Sequence, residues 1–147
     1  MMGVNRITLF FGCLALAAAA ACADSPTAPT SSPAYDQTDL RVGTGTEATS
    51  GAAARVRYTG WLYDPSRPDS KGLRFETNVG LEPFQFRVGV GEVIVGWDLG
   101  VAGMRVGGLR RLTIPPSLAY GGVRSGPIPP FSTLIFEVEL VGVTPPD

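Results

Sequence analysis

In this chain of 147 residues, the side chains that could form a functional site are mainly aromatic and aliphatic. The sequence contains no histidine, which excludes histidine-dependent general bases, Ser-His-Asp or Cys-His nucleophile pairs, and histidine-ligated metals. Its two cysteines, Cys13 and Cys22, both lie near the N-terminus, so the rest of the chain has neither disulfides nor thiol chemistry. Candidate sites must therefore be sought among apolar and aromatic residues.

Trp97 lies in the segment with the clearest helical spacing. Between Glu92 and Ala102 the apolar residues recur every three to four positions, as on the buried face of a helix; they are Val93, Ile94, Trp97 and Val101. Burial in a core is the ordinary place for such a tryptophan. A binding role is the alternative that this spacing leaves open.

A long loop, 115–131, is the second candidate. It contains five prolines and three glycines, yet it keeps Leu118, Tyr120 and Ile128. Long loops that retain aromatic residues are often functional. Tyr120 could equally serve only to anchor the loop to the rest of the fold.

The elements that must position these residues are mostly β-strands. Apolar and polar residues alternate in four segments, which predicts half-buried strands in an antiparallel sheet; these are 54–62, 83–89, 109–114 and 132–143. The polar, turn-rich stretch 63–78 is predicted to be a loop that returns to an aromatic residue at Phe75. Because one face of such a sheet must be covered, we expect the short helix to pack on it, giving an α+β domain.

Composition narrows the possible partners. Only 17% of the residues are charged and the formal net charge is −1, so the chain has no basic field with which to hold nucleic acid. At this length it has room for one domain plus accessory segments.

The N-terminus has the pattern of a targeting segment. Residues 1–22 combine one arginine with an apolar stretch that ends in small residues, as in a bacterial signal peptide. The favoured interpretation is a lipoprotein signal that ends at Cys22, the lipid acceptor, although Ala19 occupies a position that more often holds leucine. The alternatives are signal cleavage after Ala23 and an uncleaved anchor, which is disfavoured by the short, alanine-rich stretch.

Residues 23–38 are predicted to form a disordered tether. Proline, serine, threonine and alanine dominate this segment, which therefore cannot bury enough apolar surface to order itself. The domain is predicted to occupy residues 39–147, outside the cytoplasm, in the periplasm or cell envelope. A lipid on Cys22 would be its only attachment to a membrane.

Five segments of the predicted domain carry a family resemblance. In order they are VRYTGWL, RFETN, PFQFRVGVGEVIVGWDLGVAGMRVGG, LRRLTIPPSLAYGG and IPPFSTLIFEVELVGV. In this order and spacing they resemble the FKBP-type peptidyl-prolyl cis-trans isomerases, in a bacterial secreted or lipoprotein form. The resemblance implies a five- to six-stranded antiparallel sheet wrapped around one short α-helix, with a pocket between the helix and the concave face.

The resemblance also implies a set of site residues. The expected catalytic group is Tyr58, Phe75, Glu76, Trp97, Tyr120 and Phe136, and the expected substrate-binding group is Phe84, Val93, Ile94 and Ile128. Trp97 would form the floor of the pocket. Glu76 departs from the family, which usually has aspartate there, and its extra methylene alters the reach of the carboxylate towards Tyr58.

The implied activity is isomerisation of X-Pro bonds in extracytoplasmic proteins, with no cofactor and no metal. The implied partners are proline-containing peptides, unfolded secreted proteins and macrolide inhibitors, and we expect a monomer. A non-catalytic peptide-binding or chaperone module of the cell envelope is the alternative. Degenerate members of the fold usually lose the tryptophan, the paired phenylalanine or the loop tyrosine, and this chain retains all three.

Overall fold

The computed structural model describes residues 32–147, which contain six antiparallel strands, one short α-helix and two 3-10 helices of three residues each, Pro68–Ser70 and Pro116–Leu118. This architecture confirms the predicted α+β class and strand number. The strands are β1 (Asp36–Arg41), β2 (Ala53–Tyr63), β3 (Lys71–Thr77), β4 (Phe84–Arg87), β5 (Leu109–Ile114) and β6 (Leu134–Thr144). The helix, α1, spans Val95–Val101.

The sheet is built on the pairing of β2 with β6, whose register runs from Ala53 opposite Thr144 to Leu62 opposite Leu134. Its strand order is β1-β5-β6-β2-β3, and β4 also pairs with β2. The outer edge of β2 therefore has two partners in succession, β4 along its first residues and β3 along its last. This arrangement places β4 and β3 one after the other along the same edge of β2.

Alternation explains why β5 and β6 bury one face. On β6, Leu134, Phe136 and Val138 are buried while Glu137 is only partly covered. Residues of this kind from β2, β4, β5 and β6 meet α1 in a single hydrophobic core. The burial of this apolar surface is the main driving force for folding the domain.

Two segments that were predicted to lack regular structure, the tether 23–38 and the loop 63–78, contain strand residues. The tether predicted at 23–38 extends too far, because its last residues belong to β1, where Asp36 pairs with Thr113 of β5. The loop predicted at 63–78 is wrong in its second half, which is β3. All six residues of β1 are exposed, so backbone pairing with β5, rather than an apolar face, specifies this strand.

Two glycines bring α1 close to β5. A Cβ atom on Gly96 would lie 2.4 Å from a methyl carbon of Ile114, and one on Gly100 would lie 2.4 Å from a methyl carbon of Leu112. Real Cβ atoms do not approach other atoms so closely. The glycines, one helical turn apart, therefore allow the helix to rest directly on the side chains of the strand.

The signal peptide predicted at 1–22, with its candidate lipid acceptor Cys22, lies outside the described residues, as does the tether up to residue 31. From residue 32 onward, the structure contains no helix long and apolar enough to cross a membrane.

Candidate active site

A cavity of about 520 Å³ opens between α1 and the aromatic side chains of the sheet. Its size falls in the range of ordinary small-molecule sites, which are concave and largely apolar. The lining residues come from β2, β3, β4, β6, the turn before α1, α1 itself and the loop after β5. They are Tyr58, Glu76, Phe84, Gly91, Glu92, Val93, Ile94, Trp97, Tyr120 and Phe136.

Trp97 is the centre of the aromatic wall. Its ring is only 4% exposed, and its centroid lies 4.8 Å from that of Tyr58 and 5.3 Å from that of Phe136, in nearly perpendicular orientation. The ring centroid of Phe84 lies 6.2 Å from that of Trp97, with the ring planes at 73° to each other. Edge-to-face contacts of this kind are favourable beyond the burial of area, so these rings hold one another in fixed positions around the cavity.

Eight of the ten predicted site residues line the cavity, and Phe75 and Ile128 do not. Phe75 packs against Phe136 with 5.6 Å between ring centroids, so it supports the wall without forming it. Ile128 is 5% exposed and belongs to the hydrophobic core. Their predicted roles in direct contact with substrate have no support from this geometry.

Gly91 and Glu92 also line the cavity, and the sequence reasoning missed them. Both belong to the turn before α1, which Asp98 holds by accepting hydrogen bonds from the backbone N–H groups of Gly89 and Gly91, each at 2.9 Å. Gly89 and Gly91 have φ values of 76° and 79°, which glycine adopts without strain. The two closely spaced glycines after β4 were the available signal for a specialised turn.

Tyr58 and Tyr120 face the Glu76 carboxylate across the cavity. Burial, followed by the hydrogen bond and negative charge of Glu76, raises the pKa of the Tyr58 hydroxyl well above its usual value. Burial and the Glu76 charge also raise the pKa of Tyr120. Both hydroxyls therefore remain protonated at neutral pH and can donate hydrogen bonds.

The cavity combines apolar walls with hydrogen-bond donors near its rim. Tyr120 is 39% exposed and can offer its hydroxyl to a ligand. Ile94 is the N-cap of α1, so its backbone N–H is outside the hydrogen bonds of the helix. No group of three or more Cys, Asp or Glu side chains in residues 32–147 could hold a metal ion. The described residues thus suit a compact apolar ring flanked by carbonyl groups.

Residues 44–141 match the family model for FKBP-type peptidyl-prolyl cis-trans isomerases. An FK506-binding protein of Neisseria meningitidis serogroup B is 46% identical over 107 residues, which is 71% of this chain and 92% of that protein. FK506-binding protein 4 of Neurospora crassa is 50% identical over 105 residues. The match covers 71% of this chain but only 21% of the fungal protein, so the chain spans about a fifth of that longer relative.

Two solved structures are similar to this chain in fold as well as in sequence. AtFKBP13 matches with a TM-score of 0.63 and 39% identity, covering 75% of this chain and 93% of that structure. FkpA from Escherichia coli matches with a TM-score of 0.65 and 36% identity, covering 77% of this chain and 49% of that structure. The matched range of the family model, residues 44–141, contains β2 to β5, α1 and most of β6, and it begins after β1.

Proposed function

We propose, from the premise that this chain belongs to the FKBP-type peptidyl-prolyl cis-trans isomerase family, that it accelerates X-Pro isomerisation by binding proline in the aromatic cavity. The observation that carries this proposal is the open cavity around Trp97, in which aromatic and aliphatic side chains are joined by the polar groups of Tyr58, Glu76 and Tyr120. Such a cavity fits the five-membered proline ring and leaves the flanking carbonyl groups near donors.

The physics of the reaction suits a site without nucleophiles. Resonance keeps the peptide bond planar, and rotation faces a barrier of about 18–20 kcal/mol. The twisted amide has lost that resonance and has less charge separation than the planar form. An apolar cavity therefore favours the twisted amide relative to water, and stabilising it more than the planar substrate accelerates rotation.

The rim donors would orient the substrate for this rotation. The Tyr120 hydroxyl and the Ile94 backbone N–H resemble the donors with which the family holds the carbonyls beside proline. A hydrogen bond that strengthens as the amide twists lowers the barrier, whereas one of constant strength only improves binding. Glu76 would act indirectly, by accepting a hydrogen bond from the Tyr58 hydroxyl in the cavity wall.

The first prediction concerns the Tyr120 hydroxyl. Tyr120→Phe should fold normally, because the residue is 39% exposed, while the catalytic efficiency should fall roughly threefold to tenfold, as expected for one hydrogen bond. The measurement is the acceleration of a refolding reaction that is limited by prolyl isomerisation. Tyr63→Phe, the same change away from the cavity, is the control. Equal activity of the two variants would contradict the role of Tyr120.

A non-catalytic binding module is the competing function. It would bind proline-containing segments in the same cavity without accelerating their cis-trans isomerisation. The survival of Trp97, Phe136 and Tyr120 in the cavity wall favours catalysis. A chain that delays aggregation of an unfolded protein but leaves its prolyl-limited refolding phase unchanged would be such a module.

We further propose that the domain works outside the cytoplasm, as a monomeric lipoprotein attached through Cys22. The support is the signal-like composition of residues 1–22 and the small residues before Cys22. The substrates in that setting would be unfolded secreted proteins, and macrolide ligands of the family would compete for the cavity.

The second prediction tests the attachment. In a bacterial host fed labelled palmitate, Cys22→Ala should lose the label and leave the membrane fraction, because a lipid acceptor needs the thiol. Cys13→Ala is the matched control and should keep both properties. A mature protein that begins after Ala23 and carries no lipid, measured by mass spectrometry, would contradict the proposal and support soluble secretion.

A further inference from the structure

The helix that carries Trp97 cannot hold its own position. It has seven residues, no side-chain hydrogen bond at its N-cap and no basic residue in its last turn. Helices of this length are unstable alone, and their geometry depends on tertiary contacts. The contacts that fix α1 therefore also fix the floor of the cavity.

Arg110 supplies the polar part of these contacts. Its side chain lies in the helix-facing row of β5 together with Leu112 and Ile114. The guanidinium Nη1 donates to the backbone carbonyls of Gly100 at 2.9 Å and Ala102 at 3.4 Å. It thereby satisfies carbonyls at the C-terminal end of α1 and places a positive charge where the helix dipole favours one.

Asp39 of β1 holds Arg110 in this position. The two side chains form a bidentate pair, with Nε to Oδ1 at 2.6 Å and Nη2 to Oδ2 at 3.1 Å. Such planar pairs fix orientation as well as adding energy. The hydrogen bond from Arg110 holds the pKa of Asp39 below its usual range, which shows that the pairing favours the charged carboxylate.

Tyr35 makes a third contact with the same helix. Its hydroxyl lies 3.0 Å from the Gln37 side-chain oxygen and 3.4 Å from the Gly96 carbonyl, and its single hydrogen is shared between these two acceptors. The Gly96 carbonyl belongs to the peptide group that joins Gly96 to Trp97. A Cβ atom on Gly100 would lie 2.9 Å from the same hydroxyl. The residues that enter β1 thus contact both turns of α1.

We propose that Tyr35, Asp39 and Arg110 form a clamp that positions α1, and through it Trp97, so that the N-terminal strand controls the shape of the proline cavity. The three are positioning residues, since none of them lines the cavity. The consequence for turnover rests on the proposed isomerase function, whereas the consequence for Trp97 does not.

Asp39→Asn is the test of the clamp, read first from the indole N–H resonance of Trp97. That N–H is buried without a protein acceptor among residues 32–147, so its chemical shift reports the packing of the ring. We expect Asp39→Asn to shift or broaden this resonance while leaving that of Trp61 unchanged. We also expect a threefold to tenfold lower affinity for a proline-containing tetrapeptide. Asp39→Glu, which keeps a carboxylate, should restore part of both.

Glu137→Gln is the matched control. It weakens a second charge cluster, in which Glu137 accepts from Lys71 at 2.6 Å and Arg111 at 3.1 Å, on the face of the sheet opposite α1. This variant should lose stability without changing the Trp97 resonance. If Asp39→Asn changes the resonance and the affinity no more than Glu137→Gln does, the clamp is refuted. If the protein without any substitution has no isomerase activity, the proposed function is refuted. The Trp97 resonance would still show whether the clamp positions the helix.

Discussion

Trp97→Ala is expected to destabilise the domain by about 3–5 kcal/mol, the usual cost of truncating a buried tryptophan, and to abolish detectable binding of proline peptides. The loss is large because the ring contacts Tyr58, Phe84, Phe86 and Phe136 at once. Urea unfolding measures the first effect, and titration with a proline tetrapeptide measures the second. Trp97→Phe, which keeps most of the apolar area, should fold and retain weaker binding.

Trp61 provides the matched control for this prediction. It is the other tryptophan of the chain and is only partly buried. The Lys71 ammonium group lies 4.5 Å from the centroid of its ring. Trp61→Ala should cost less stability than Trp97→Ala, because a cation–π pair near the surface contributes about 0.5–1 kcal/mol. Peptide affinity should stay within about twofold, since Trp61 does not line the cavity. Equal loss of affinity in both variants would contradict a specific role of Trp97 in peptide binding.

Gly60→Ala is expected to have the next largest effect. Gly60 pairs with Phe136 on one side and Glu76 on the other, and a Cβ atom there would lie 2.6 Å from the ring of Phe75 and 2.8 Å from that of Phe136. The added methyl group must push these rings apart. Overpacking of this kind costs about 1–3 kcal/mol, and here it also displaces one wall of the cavity, so both stability and isomerase activity should fall.

Gly142→Ala separates this steric effect from the loss of a strand glycine. Gly142 also lies in a strand, but a Cβ atom there would find its nearest neighbours at 3.7 Å, an ordinary contact. Because alanine restricts the unfolded chain, this variant should be neutral or more stable by up to about 1 kcal/mol. Melting temperatures and peptide exchange rates of the two variants give the comparison. A Gly60→Ala protein as active as Gly142→Ala would contradict the assigned cavity wall.

Apolar periodicity was sufficient to predict β2, β4, β5 and β6, because apolar and polar residues alternate along most of each strand. Ile135, which is buried between Leu134 and Phe136, is an exception on β6. The segment with helical spacing begins before the helix does, since the turn before α1 is fixed by Asp98 rather than by helical hydrogen bonds. The edge strands β1 and β3 could not be predicted in this way. Every residue of β1 is exposed, and β3 has no fully buried residue although Phe75 packs partly on the core, so neither strand has a regular buried face.

Helical spacing and loop content pointed to Trp97 and Tyr120 as candidates, whereas most of the other site residues came from the family resemblance. That resemblance also included Ile128, which packs in the core. The pairing of Asp39 with Arg110 joins residues 71 positions apart. Neither residue has an unusual local sequence, so only the folded arrangement brings this contact into view.

The most direct test of the central claim is NMR exchange spectroscopy on an Ala-Leu-Pro-Phe peptide. Without a catalyst the cis and trans forms interconvert over tens to hundreds of seconds. We expect catalytic amounts of the protein to bring exchange into the sub-second range, and Trp97→Ala to return it to the uncatalysed rate. An exchange rate indistinguishable from that of the peptide alone, with the protein folded and the peptide bound, would contradict the assignment of this cavity as an isomerase site.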